Sequence, residues 1–199
     1  GLGEPDAVAA QARWCLEQGH RYFRIGPPAD GDRFEPRESV RRLLENLRAA
    51  REAVGSGLEL MVDAHARLNL PEAIQFCRDA EPLRLFLAED LLRSEHPEGY
   101  RQLRQHAHVP LAAGEQWASK WEFRQVIEAE LIDYARIDIC IAGGLTEPPH
   151  FHRDDGAFTN YRRDRPGGAG RLPRTPPLCR PGACYAHAPT SLPAARYAR

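Results

Sequence analysis

The feature that most constrains this chain is one local pattern used three times: a short apolar run that ends on an acid and then gives way to helical spacing. It occurs at LELMVDA (58–64), RLFLAE (84–89) and PLAAGE (110–115). The closing acids Asp63, Glu89 and Glu115 stand 26 residues apart, twice over. A strand buried on both faces reads as a continuous apolar run, whereas a half-exposed strand alternates. Runs of this kind separated by helices predict a parallel sheet with helical crossovers.

The same alternation extends on either side. EPDAVAAQARWCLEQG sets Val8, Ala12, Cys15 and Leu16 at helical spacing, and YFRIG follows as a strand. PRESVRRLLENLRAAREAVG is an amphipathic helix stopped by Gly55. NLPEAIQFCRDAE reads as a helix with Asn69 as N-cap and Pro71 in its first turn. LRLFLAE, PEGYRQLRQH, VPLAAG, KWEFRQVIEAE and IDYARIDI continue strand, helix, strand, helix, strand, and GGLTE opens one more helix. Five βα units result, consistent with an open doubly wound sheet or a (β/α) barrel. No GxGxxG follows the first strand, which weakens the nucleotide-binding reading.

Right-handed crossovers place consecutive parallel strands side by side, so the three acids converge at one end of the sheet. Two unit charges about 4 Å apart repel by about 4 kcal/mol at an effective dielectric near 20. Three bare carboxylates there must protonate or share a cation. All-oxygen donors favour a hard ion, Mg²⁺ first and Mn²⁺ next. The competing structural reading is that each acid caps a helix or sits in a loop, but identical spacing after three apolar runs favours convergence.

YFRIG, MVDAH, LFLAED, PLAAGE and RIDICIAGGLTE together resemble the C-terminal barrel of the enolase superfamily. Within it they are most similar to the mandelate racemase/muconate lactonizing enzyme group, on the side of the galactonate dehydratase-like acid-sugar dehydratases. The resemblance covers about residues 5–147. It implies a TIM-type (β/α)7β barrel, here partial, with Asp63, Glu89 and Glu115 binding Mg²⁺. It also implies abstraction of the proton α to a carboxylate, with Mg²⁺ steadying the enediolate, as general descriptions of this superfamily have it. His65, in the family's DxH position, becomes the acid that protonates the leaving hydroxyl. Asp138 matches the aspartate that orients a catalytic histidine. The implied partner is a small sugar acid, and homo-oligomers are expected of the intact family.

Several positions depart from the pattern. Where racemases and cycloisomerases of the superfamily carry a KxK pair, this chain has Tyr22 and Arg24. Arginine is too basic to serve as an ordinary base. Arg24 is read instead as a carboxylate-binding or structural cation, which leaves a racemase or epimerase as a lesser alternative. The histidine that Asp138 should orient belongs in a PHNPLGP-like motif, and no such motif occurs; His150, His152 and His187 stand outside any recognisable strand end. The capping domain, the first barrel strand and the last two have no counterpart, and no initiator methionine is present. The expectation is therefore a fragment with little turnover, or a non-catalytic remnant with at most a weak metal site.

Composition changes at Pro148. Residues 148–199 hold 9 of the 17 prolines and 9 of the 26 arginines, with no isoleucine, valine or glutamate. The reading is a barrel domain over 1–147 and an irregular tail over 148–199. That tail is either disordered or the product of G+C-rich codons read out of frame; the cut through a βα unit favours the latter. A formal net charge of −1 gives no case for nucleic acid or a membrane surface. No signal peptide is seen, and the five cysteines are taken as reduced thiols of a cytoplasmic protein. Gln116 and Lys120 are candidate polyol contacts or solvated loop residues. Trp117 and Trp121 line a pocket or, more simply, pack between helices. Asp90 orients a ligand or caps the following turn.

Overall fold

The computed structural model describes residues 4–26, 34–138 and 140–142, and the backbone of 183–186. Helices and parallel strands alternate: α1 (Pro5–Glu17), β1 (Tyr22–Ile25), α2 (Pro36–Val54), β2 (Glu59–Asp63), α3 (Leu70–Ala80), β3 (Leu87–Glu89), α4 (Pro97–Arg104), β4 (Leu111–Ala113), α5 (Lys120–Glu128) and β5 (Tyr134–Ala135). A last strand, β6 (Ala183–Ala186), completes a sheet of order β5-β4-β3-β2-β1-β6, and its pairings are parallel throughout. The strands are short because each is needed only to cross the core. LRLFLAE yields three strand residues and IDYARIDI two.

Four of the five helices place proline in the first turn, where its missing N–H costs nothing. Asn69 does occupy the N-cap of α3 with extended backbone, but its side chain makes no capping bond. Arg51, near the end of α2, ties that helix to the next unit by donating to the carbonyls of Leu83 and Leu58 at 3.0 Å each. Tyr100 of α4 is buried, and its hydroxyl donates to the Leu92 carbonyl at 2.9 Å, so the loop after β3 is fixed from below.

Strand periodicity divides the core in two. Leu60, Val62, Ala88, Leu111 and Ala113 point at the helices and join the main cluster with Val8, Leu43, Leu47, Phe76 and Leu103. Met61, Leu87, Ala112 and Tyr134 form a second cluster on the opposite face, with Tyr22 and Phe86 against it. Both faces are apolar, as the continuous runs predict. Burying each large aliphatic side chain contributes about 1.5–3 kcal/mol.

No strand was expected after residue 148, yet Ala183–Ala186 pairs with β1 in register Tyr22↔Ala183 to Ile25↔Ala186. An unpaired edge offers a row of backbone donors and acceptors, which a four-residue segment satisfies without any side-chain pattern. Cys15, expected as a free thiol, is disulfide-bonded, while Cys77 and Cys140 are free. The helix expected from Gly143 and the histidines 150, 152 and 187 lie outside the described residues. No described helix is long and apolar enough to cross a membrane.

Candidate metal and acid–base site

The second apolar face ends in charge. Side chains two residues apart on a strand share a face, so the row Tyr22, Met61, Leu87 and Tyr134 continues into Arg24, Asp63, Glu89 and Arg136. Asp63 and Glu89 are direct neighbours in the β2–β3 ladder. Arg24 pairs in register with Met61, one step lower. Its long side chain climbs to ion-pair with Asp63, and its Nη2 lies 3.2 Å from Glu89 Oε2. Arg136, just past β5, donates from Nε to the other Glu89 oxygen. Glu89 is 1% exposed and Asp63 4%, a depth at which a charge survives only when paired.

His65 reaches the same place by another route. Strand alternation alone would aim it beside Asp63, but the strand stops at Asp63. His65 and Ala66 then take left-handed φ values of 51° and 55°. The Asp63 Oδ1 accepts the His65 backbone N–H at 2.8 Å and holds that turn. His65 Nδ1 comes to 3.8 Å from both Asp63 Oδ2 and Glu115 Oε1. Glu115 follows β4 after Gly114, whose φ of 128° and close neighbours admit no side chain: a Cβ there would stand 2.4 Å from Phe123 Cε1 and 2.7 Å from the Arg136 carbonyl oxygen.

Asp90 is the residue whose part the sequence reading understated. It is 4% exposed, has a left-handed φ of 42°, and accepts the Gly114 N–H at 3.4 Å on Oδ1. Carboxylate oxygens of Glu89, Asp90 and Glu115 lie within 4.8 Å of one another. Asp63 is not in that group; its carboxylate is engaged by Arg24 and His65. Arg136 was missed altogether, although the alternation Tyr134, Arg136 puts it on the inner row of YARID. Asp138 uses its Oδ1 to accept the N–H groups of Cys140 (2.7 Å) and Ile141 (3.3 Å), capping the next turn. The structure does not place Asp138 among the clustered acids.

The titration pattern follows from these contacts. Burial drives the Asp63 carboxyl upward, but the His65 hydrogen bond and the Arg24 charge outweigh it and hold the group below its ordinary value. Burial also raises Glu89; there Arg136 and Arg24 oppose without prevailing. Asp90 is pushed well above the carboxylate range, first by burial and then by the charges of Glu89, Asp63 and Glu115. The Asp63 carboxylate, 3.8 Å from Nδ1, raises His65 above its ordinary value.

A hard divalent cation fits this donor set. With all four carboxylates (Asp63, Glu89, Asp90, Glu115) ionised, two guanidiniums (Arg24, Arg136) leave a formal charge of −2, an excess that the metal-free protein relieves through the raised Asp90 and His65. All donors are oxygens, the kind Mg²⁺ and Mn²⁺ take. A buried Asp90 oxygen lacks a hydrogen-bond partner. Beside the acids lies a cleft of about 430 Å³ lined by Phe34, His65, Arg67, Arg93 and Gln116 among others. That is within the size range of small-molecule sites. Gln116 accepts the Ser94 hydroxyl at 2.7 Å on Oε1. Trp117 is buried packing, donating to the Ser94 carbonyl at 3.0 Å and meeting Phe123 edge-on. Trp121 is exposed under Lys120 and Arg124.

Comparison with known proteins agrees with this geometry. Over 156 residues the chain is 38% identical to a D-mannonate dehydratase of Caulobacter sp. (strain K31), covering 75% of this chain and 37% of that protein. Over 100 residues it is 42% identical to a D-galactonate dehydratase family member of Oceanicola granulosus, covering 50% of this chain and 24% of that one. A solved enolase-superfamily structure from Salmonella Typhimurium superimposes with a TM-score of 0.66 at 27% identity, covering 72% of this chain and 40% of the other. The chain thus spans well under two thirds of the length of these relatives. The profile of the enolase C-terminal domain-like family matches residues 7–150, and the chain belongs to that family.

Proposed function

We propose that the described residues are the cation site and acid half of a Mg²⁺-dependent dehydratase for aldonate-type sugar acids. The observation that carries this reading is the strand-end carboxylate cluster, in which oxygens of Glu89, Asp90 and Glu115 lie within 4.8 Å of one another, with His65 Nδ1 3.8 Å from Glu115. Glu89 and Glu115 with a third carboxylate would hold the cation; the family pattern makes Asp63 that third. Mg²⁺, when bound, supplies Lewis-acid stabilisation of the negative charge that develops on a substrate carboxylate.

The chain's own residues account for the second half of the reaction. Asp63 keeps His65 protonated at higher pH than an ordinary imidazole, so it can deliver a proton. In the proposed elimination the C2 proton passes to a base and the C3–O bond breaks. His65 gives its proton to the departing hydroxyl, which leaves as water, and the enol tautomerises to the 2-keto-3-deoxy acid. Arg67, Arg93 and Gln116 line the adjacent cleft, where polyol hydroxyls and an anion would be met.

Among the described residues, His65 is the one imidazole placed at the acid cluster, and no lysine stands there. Arg24 is committed to Asp63 and Glu89, which argues against a racemase or epimerase using that position as base. This favours a second reading beside the first: the 199-residue chain binds metal without turning substrate over. The test is to incubate the purified chain with Mg²⁺ and a panel of sugar acids and assay 2-keto-3-deoxy product. Metal-dependent product abolished by His65→Asn supports the first reading; saturable metal binding without product supports the second. Neither binding nor product refutes both.

A further inference from the structure

The loop after β3 meets the loop after β4 at Ser94, and that contact sets how Gln116 faces the cleft. Ser94 is 8% exposed and is held from two directions. The Tyr100 hydroxyl fixes the Leu92 carbonyl at 2.9 Å, two residues earlier in the same loop. The Trp117 indole donates from Nε1 to the Ser94 carbonyl at 3.0 Å. Trp117 is itself anchored: its backbone N–H reaches the Gly114 carbonyl at 3.0 Å, and its ring meets Phe123 edge-on with centroids 4.9 Å apart. Gln116, between Glu115 and Trp117, therefore sits in a turn whose backbone has little freedom.

The Ser94 hydroxyl donates to Gln116 Oε1 at 2.7 Å. A glutamine amide carries one acceptor oxygen and two N–H donors. With the oxygen engaged, the NH₂ is what Gln116 offers to the cleft it lines, and it has no acceptor among the described residues. Arg67 and Arg93 line the same cleft, carry donors only, and make no ion pair among the described residues. Among the described lining residues the one acid is Glu95, which is exposed. An exposed glutamine ordinarily samples several rotamers, and fixing one of them on binding lowers affinity. The Ser94 hydroxyl has fixed this one beforehand.

We infer that Ser94 is a positioning residue for ligand recognition: it turns the Gln116 amide so that its N–H groups meet an acceptor oxygen on the polyol chain of the sugar acid. The inference rests on reading the cleft as a sugar-acid site, and the experiment separates the two. D-mannonate, D-galactonate and D-gluconate are titrated by calorimetry into the full 199-residue chain at saturating Mg²⁺. The acid that binds most tightly is then titrated into Gln116→Ala, Gln116→Glu, Ser94→Ala and the Ser94→Ala/Gln116→Ala double variant.

Loss of one hydrogen bond weakens binding about 3–10-fold, which is the effect expected of Gln116→Ala. Gln116→Glu keeps an oxygen for Ser94 but turns an acceptor towards the ligand, so it is expected to bind more weakly than Gln116→Ala. Ser94→Ala leaves the Ser94 carbonyl and its bond from Trp117 in place while freeing the amide. It is expected to raise Kd about 2–5-fold in the parent and to change nothing in the Gln116→Ala background. A role in loop packing alone would not produce that coupling. Equal effects of Ser94→Ala in the two backgrounds, none included, overturn the inference, as does Gln116→Glu binding as tightly as the parent. No saturable binding of any of the three acids by the parent chain overturns the sugar-acid reading of the cleft, and the inference with it.

Discussion

Replacing Asp90 with asparagine should make the metal-free protein more stable. The carboxylate lies within 4.8 Å of two others. At that distance each like-charge pair costs about 3.5 kcal/mol at an effective dielectric of 20. Protonation caps the penalty, because a group lifted from near 3.9 can take up a proton by pH 7 at a cost of about 4 kcal/mol. Asparagine has the same shape, carries no charge and can donate to the neighbouring carboxylates. The gain expected at pH 7 is therefore about 2–4 kcal/mol. The sign follows from linkage. The folded-state pKa of Asp90 is raised, so below the ordinary value both states hold the proton and the group costs nothing. As pH rises the unfolded chain ionises freely while the folded one resists, and stability falls up to the folded-state value. Urea denaturation in EDTA should show the variant's advantage small near pH 4 and growing towards pH 7. A variant no more stable than the parent at pH 7, or an advantage independent of pH, would refute the electrostatic account.

Arg136→Met should destabilise by about 3 kcal/mol, since it strips one of two cations from the buried Glu89. Adding Glu89→Gln should recover most of the loss in a double-mutant denaturation cycle, and strict additivity would refute the pairing. Gly114→Ala should cost about 3 kcal/mol by the same assay, because the new Cβ meets the Arg136 carbonyl oxygen, which is backbone and cannot swing away. Asp63→Asn should lower the His65 titration midpoint in an NMR pH series, since Asp63 is the main cause of its elevation. The parent's raised His65 contributes stability that is full below the ordinary histidine value and is lost as pH rises through the folded-state value. The variant should lose that window, and an unmoved His65 would show that Glu115 governs it instead.

The fold was legible because it is written in periodicity. Continuous apolar runs gave strands buried on both faces, and Met61, Leu87, Ala112 and Tyr134 do fill the second face. Strand lengths were overestimated because an apolar run does not say where hydrogen bonding stops. Ile137 is buried but lies beyond the two strand residues of β5. The strand at Ala183–Ala186 was invisible since edge pairing is a backbone event that needs no pattern. In the site, position was easier to read than partnership. Spacing placed Asp63, Glu89 and Glu115 at strand ends, but nothing in one dimension says that Arg24 climbs a rung to Asp63. The side-chain contact of Asp90 depends on a left-handed backbone turn, which sequence marks clearly only when glycine occupies it.

Arg136 shows what a closer sequence argument could have reached. In the sheet order β5-β4-β3-β2-β1, the strands read at their tips as Arg136, Glu115, Glu89, Asp63 and Arg24. Acids occupy the three central strands and guanidiniums the two that flank them. Counted as fully ionised and with Asp90 included, the acids outnumber the flanking cations by two, and in the metal-free protein the raised Asp90 relieves part of that excess. Full neutralisation would favour stability but leave no demand for a divalent ion; no neutralisation would force several carboxyls to protonate. The intermediate balance keeps the cluster ionised enough to hold a cation at modest cost to the fold. It requires an inward-facing arginine on each side of the acid ladder. The inner-row rule applied to YFRIG and YARID picks out Arg24 and Arg136 by number.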